Sequence, residues 1–127
     1  MTTGVTLDAG ALIAIERGTD RARALVTRIR DRRLPVLVPA AALAQAWRGG
    51  ARQARLAAFL AARGGPEVFV LDAVGARAAG ELCARAGTND VVDASVVLCG
   101  LRHDHLVATS DPADLTRLDA RVRLFVV

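Results

Sequence analysis

Apolar and polar positions along the chain fall into two alternating patterns. Short apolar runs read as strands at residues 5–8, 35–38, 67–71, 105–109 and 122–127. Between them, apolar residues recur at three- and four-residue spacing, the signature of a helix with one buried face. Ala11, Leu12 and Ile15 begin the first helix, and Thr19 or Asp20 caps a second that runs to about Arg32 on Ala22, Leu25, Val26 and Ile29. Pro39 opens a helix holding Leu43 and Trp47 and ending at Gly49-Gly50. Residues 51–62 continue as another, with Leu56, Phe59 and Leu60 inward, until Gly64-Gly65-Pro66 stops it. Residues 73–85 form a helix with Gly87 as its C-cap. Thr88 or Asn89 caps the helix at 90–102, and a last helix spans 112–118.

Strands alternating with helices predict an α/β fold with a parallel sheet. Residues 36–38, 68–71 and 124–127 are apolar without a break, as in strands covered on both faces. No repeat or linker divides the chain, so residues 1–127 are expected to form a single domain. In open parallel sheets the active site lies beyond the carboxyl ends of the strands, which is where chemistry is to be sought.

Composition narrows that search. All 17 basic residues are Arg, against 13 acidic ones, for a net charge of +4. The missing Lys excludes a P-loop, a kinase strand lysine and Schiff-base chemistry. Cys83 and Cys99 lie in apolar-periodic segments without metal-ligand spacing and read as buried thiols of a cytoplasmic protein. No signal peptide or apolar run long enough to span a membrane is visible. With 3% aromatics, RNA binding by stacked aromatics on a sheet is disfavoured.

Aspartates stand at three of the expected strand ends or helix starts. Asp8 is the one charge in the apolar segment 5–13 and is either a helix N-cap or a functional carboxylate, with function favoured about two to one. Asp90 and Asp93 share a helix face in its first turns. One such Asp complements the helix dipole, but a second beside an apolar stretch is harder to dismiss. Asp111 and Asp114, alone, make an ordinary capped helix start with Pro112 at its first position. Their conjunction changes the reading, because clustered carboxylates repel and a cation relieves them. Oxygen ligands without Cys or His select Mg²⁺ or Mn²⁺. Hydrolysis of a phosphodiester by metal-activated water fits both this acidic site and an Arg-rich surface.

The whole chain resembles a PIN domain, specifically the VapC-type toxin ribonucleases of toxin–antitoxin pairs. The segment Leu7-Asp8-Ala9-Gly10-Ala11-Leu12-Ile13 resembles the family's first-strand motif with its first catalytic Asp. In Asp90-Val91-Val92-Asp93-Ala94, Asp93 is the better match to a metal ligand. In Thr109-Ser110-Asp111-Pro112-Ala113-Asp114-Leu115, Asp111 matches best and Asp114 is accessory. Residues 39–49 resemble the segment that carries a Glu, but Gln45 stands there, one charge short. Activity could rest on Asp8, Asp93 and Asp111, with Glu16 a conceivable helper, or it could be lost. The resemblance implies a three-layer α/β/α sandwich with about five parallel strands, RNA cleavage, a homodimer, and a cognate VapB-type antitoxin that places a basic side chain in the acidic site.

Arg48, Arg52 and Arg55 recur at helical spacing beside Gln45, as RNA contacts or as a solvated face with about equal weight. His103 and His105 read as surface or capping residues, and Trp47 as core or interface packing. Against the ribonuclease stands a non-catalytic module that binds RNA or an antitoxin without cutting. A small phosphohydrolase of another α/β class is less well supported, lacking both Lys and a second Asp two residues after Asp8.

Overall fold

The computed structural model describes residues 4–127. Five strands and seven α-helices alternate along it: β1 Val5–Leu7, α1 Ala9–Arg17, α2 Asp20–Arg32, β2 Val36–Pro39, α3 Ala40–Ala46, α4 Ala54–Ala61, β3 Glu67–Phe69, α5 Ala73–Ala86, α6 Val91–His103, β4 Leu106–Thr109, α7 Pro112–Leu118 and β5 Arg123–Val126. The strands pair in the order β3-β2-β1-β4-β5, all parallel. Strand order therefore reverses between β1 and β4, and their carboxyl ends flank the crevice where ligands bind in open α/β sheets.

Side chains alternate across the sheet, so one strand feeds two cores. Val5, Leu7, Val36 and Val38 pack with Leu12, Ile15, Leu25, Ile29, Leu56 and Phe59 of α1, α2 and α4. Val107 packs on the opposite side with Leu82, Cys83, Val96, Val97 and Leu115 of α5, α6 and α7. The result is the expected three-layer α/β/α sandwich. Leu7, Leu12, Leu25, Leu56 and Leu115 are fully buried, and truncating any one to Ala costs about 2–5 kcal/mol.

Local chemistry sets the boundaries. Thr19, not Asp20, caps α2 by accepting the Ala22 N–H. Gly18 and Gly87 end α1 and α5 in the left-handed region that glycine adopts without strain. Asp90 itself caps α6 through its carboxylate, correcting the choice of Thr88 or Asn89; Thr88 instead accepts the Asp90 N–H.

The third expected helix is shorter than its pattern. It stops at Ala46, because buried Gln53 takes hold of the turn that follows. Gln53 Oε1 accepts the N–H groups of Arg48 and Gly49, and Nε2 donates to the Ala46 carbonyl and to Glu16 Oε1. Trp47 is consequently 40% exposed, which overturns the core half of its expectation of core or interface packing. Arg48 lies in the turn, Arg52 in a 3₁₀ turn (Ala51–Gln53) and Arg55 in α4, so the three arginines share no single helix face. Both outer strands are less covered than their apolar runs implied, with Val68 exposed on β3 and Val126 on β5. His105 is no surface residue: it is buried, its Nδ1 3.0 Å from Thr6 Oγ1. His103 sits edge-on to Phe69 and its Nδ1 lies 2.8 Å from the Cys99 carbonyl oxygen.

Candidate active site

The end of β1 places Asp8. Its N–H donates to the Ala108 carbonyl, continuing the β1–β4 ladder, and its Oδ1 accepts the Ala11 N–H at 2.7 Å. The N-cap reading is thus borne out, at the strand end where a functional carboxylate is expected. Asp8 is buried, and burial, opposed by hydrogen bonds from Thr109, Ala11 and Gly10, holds its carboxyl above the usual range; Asp111 pushes the same way.

The end of β4 places Asp111. Thr109 is fully buried, and its hydroxyl oxygen accepts the Asp111 N–H at 2.9 Å. The same hydroxyl acts on the Asp8 carboxyl, favouring its charged form. Asp111 stands at the start of α7 with its side chain exposed and making no cap hydrogen bond. Its carboxylate is free to act on something else. Sequence reasoning missed Thr109; the only available signal was a hydroxyl residue at a strand end, two positions before an Asp.

The start of α6 places Asp93, half-buried one turn inside the Asp90 cap and bonded through its N–H to Asp90 Oδ1 at 2.9 Å. Burial first, then the charges of Asp90, Asp8 and Asp114, push the Asp93 carboxyl up to about 7. Asp90, Asp93 and Asp114 line a depression of about 160 Å³ together with Thr88, Arg117 and Leu118. The acids of three separate chain segments therefore face one edge of the sheet and feel one another.

Other expected residues are placed elsewhere. Gln45 is exposed in the last turn of α3 and forms no hydrogen bond among the described residues. Glu16 lies eight residues along α1 from Asp8, about 12 Å by helical rise, and is bonded to Gln53, so it is no helper at the acidic edge. Arg48 bonds the carbonyls of Ala44 and Trp47, and Arg55 bonds that of Glu16, where cations complement helix ends. Arg52 is exposed.

The acids at the edge offer carboxylate oxygens, and burial, reinforced by mutual repulsion, raises Asp8 and Asp93. That chemistry fits a hard divalent cation. Among the described residues no cluster of three or more His, Cys, Asp or Glu side chains is assembled into a metal cage. The fit is therefore to an ion that keeps much of its water and takes one or two protein carboxylates, as Mg²⁺ commonly does.

An all-parallel five-stranded sheet, covered by helices on both faces and carrying its acids where the strand order reverses, defines a PIN-like fold. Solved structures share it along nearly the whole chain. A VapBC2 structure from Rickettsia felis bound to promoter DNA matches 96% of this chain and 97% of its own at 15% identity, with a TM-score of 0.70. DNA-bound VapBC from Salmonella typhimurium matches 99% and 98% at 20% identity and 0.66. FitAcB from Neisseria gonorrhoeae matches 95% and 96% at 18% identity and 0.62. No family profile and no curated protein matches the sequence. Among the described residues no helix is long and apolar enough to cross a membrane.

Proposed function

We propose that the protein is a Mg²⁺- or Mn²⁺-dependent endoribonuclease acting as the toxin of a toxin–antitoxin pair. The observation that carries this reading is that carboxylates from separate chain segments act on one another where the strand order reverses: burial and then Asp111 raise Asp8, and burial, Asp90, Asp8 and Asp114 lift Asp93 to about 7. Asp8, Asp93 and Asp111 would hold the ion, one or two of them directly and the rest through its water, with Asp90 and Asp114 as accessories. Bound there, it would supply an activated water and stabilise the leaving oxygen of a phosphodiester. Asp8 is the fixed point of the set, buried and oriented by Ala11 and Thr109. Thr109 ties Asp111 to the same frame. Asp93 holds a proton near neutral pH that a cation would displace.

The toxin reading draws on likeness to VapBC structures and on two surfaces. A groove of about 390 Å³ between α1, α2 and α4 has Ile15, Val26 and Phe59 on its walls and Arg23, Arg30 and Arg55 among its lining residues. It suits an acidic amphipathic segment of a VapB-type antitoxin. Val68, Val70, Leu71 and Val74, exposed along β3 and into α5, supply an apolar face for a homodimer. The free, buried Cys83 and Cys99 accord with a cytoplasmic location.

A second reading, a module that binds RNA or an antitoxin without cutting, is favoured by one observation: Gln45 is neutral and bonded to nothing at the site. Titration of Mn²⁺ into the purified, antitoxin-free protein separates the two. Binding that is lost in Asp8→Asn supports the nuclease, and absence of binding with retained RNA affinity supports the module.

A further inference from the structure

A second cleft adjoins the acidic edge and has been given no role. It encloses about 540 Å³ between α1, the start of α2 and the end of β5, and is lined by Gly10, Ile13, Arg17, Thr19, Arg21 and Ser110 among others. Two of these residues neighbour the acids directly. Ser110 precedes Asp111, and Gly10 lies two residues after Asp8, whose carboxylate accepts a hydrogen bond from the Gly10 backbone. A side chain at position 10 would run into Ser110 Oγ and come within 3.0 Å of Ser110 Cβ. Glycine therefore lets Ser110 pack directly against the start of α1. Ser110 is exposed and forms no hydrogen bond among the described residues, so its hydroxyl is available to a ligand.

The far end of the cleft is basic. Arg17, in the last turn of α1, and Arg21, in the first turn of α2, are both exposed. Neither is in an ion pair: among the described residues the only two join Arg121 to Asp119 and Arg123 to Asp104. Arg21 holds one guanidinium nitrogen on the Val126 carbonyl, which keeps it beside the cleft without an ion pair. The amino end of α2 opens on the same space, an environment that favours anions. Asp20 also lines it, as the acid of that first helical turn.

We propose that this cleft is the subsite for the RNA strand flanking the scissile bond, with Ser110 on the first phosphate beside the acids and Arg17 and Arg21 on the next ones. The volume suits a nucleotide unit, and the lining runs from Gly10 and Ser110, neighbours of Asp8 and Asp111, to two arginines that form no ion pair. The inference rests on the nuclease reading and adds the direction in which substrate leaves the cut.

The test is binding of a fluorescent single-stranded RNA in EDTA, where cleavage is blocked, across a salt series. Arg17→Ala/Arg21→Ala is expected to weaken binding roughly tenfold and to flatten the log–log salt slope by about 1.4, the value for two phosphates on a single strand. Arg17→Lys/Arg21→Lys should keep most of the affinity. Arg28→Ala/Arg32→Ala, which removes equal charge from α2 outside the cleft, should leave the slope near that of the parent. Equal losses in the two alanine pairs, or none in Arg17→Ala/Arg21→Ala, overturn the cleft assignment. If the parent cleaves RNA with Mn²⁺ while Arg17→Ala/Arg21→Ala binds normally, only the cleft assignment fails. If the parent neither binds RNA in EDTA nor cleaves it with Mn²⁺, the nuclease reading fails and takes the cleft with it.

Discussion

Thr109 and Asp111 are joined by a 2.9 Å hydrogen bond from the Asp111 N–H to the Thr109 hydroxyl oxygen, and that hydroxyl also favours the charged form of Asp8. One buried side chain thus holds the backbone of Asp111 and acts on the carboxylate of Asp8, two acids at different strand ends. Thr109→Val keeps the shape but strands the Asp111 N–H and removes the hydroxyl that favours charged Asp8. It should reduce Mn²⁺ affinity by about 10–100-fold, the usual effect of removing a group that orients a ligand. Thr109→Ser should restore most of it. Isothermal titration of the three proteins reads this directly, and equal affinities would mean that the bond positions nothing.

The acidic edge makes stability depend on pH in a defined direction. A carboxyl whose folded pKa lies above its ordinary 3.8 binds more protons folded than unfolded. For Asp93, lifted to about 7, stability therefore falls as pH rises from about 4 to 7 and changes little above. Asp8 is shifted the same way. Thermal unfolding of the parent and Asp93→Asn across this range should show a shallower decline in the variant. Mg²⁺ should raise the melting temperature of the parent more at pH 8 than at pH 5, because the ion competes with that proton.

Gln53 makes four hydrogen bonds from a buried position. Gln53→Leu leaves the N–H groups of Arg48 and Gly49 and the Ala46 carbonyl without their partner. A cost of about 2–3 kcal/mol is expected, since stranded polar groups cost about 1–3 each and some regain water in the exposed turn. Urea denaturation measures it. A loss below 0.5 kcal/mol, an estimate of the ordinary surface effect, would show that the clip is dispensable.

Val74 is 72% exposed at the start of α5, next to the exposed Val70 and Leu71. If this face joins two copies, Val74→Glu should turn a dimer into a folded monomer in light scattering. A parent that is monomeric at the same concentration would remove the face from the account.

The sheet, its helices and the three acidic segments were legible because each rests on local pattern: apolar runs, three-to-four periodicity, and Asp at helix starts. Thr109, Gln53 and His105 were not, because their roles depend on partners far away in the chain. Thr6 meets His105 across 99 positions, and Glu16 meets Gln53 across 37. Trp47 was misplaced for the same reason, as the helical period runs on past Ala46 while Gln53 breaks the helix from outside. Gln45 was legible as a missing charge, and the fold leaves it exposed in the last turn of α3.

The central claim is that the acids between β1 and β4 hold a cation that cuts RNA. The most direct measurement is cleavage of single-stranded RNA by the purified, antitoxin-free protein with Mn²⁺, beside the same reaction with EDTA and with Asp8→Asn. Asn keeps a side-chain oxygen for the Ala11 N–H, so the variant should remain capped and folded. Cleavage by the parent with Mn²⁺, abolished both by EDTA and by Asp8→Asn, is the predicted result. Cleavage that survives either treatment, or a folded parent that binds RNA and never cuts it, would contradict the claim.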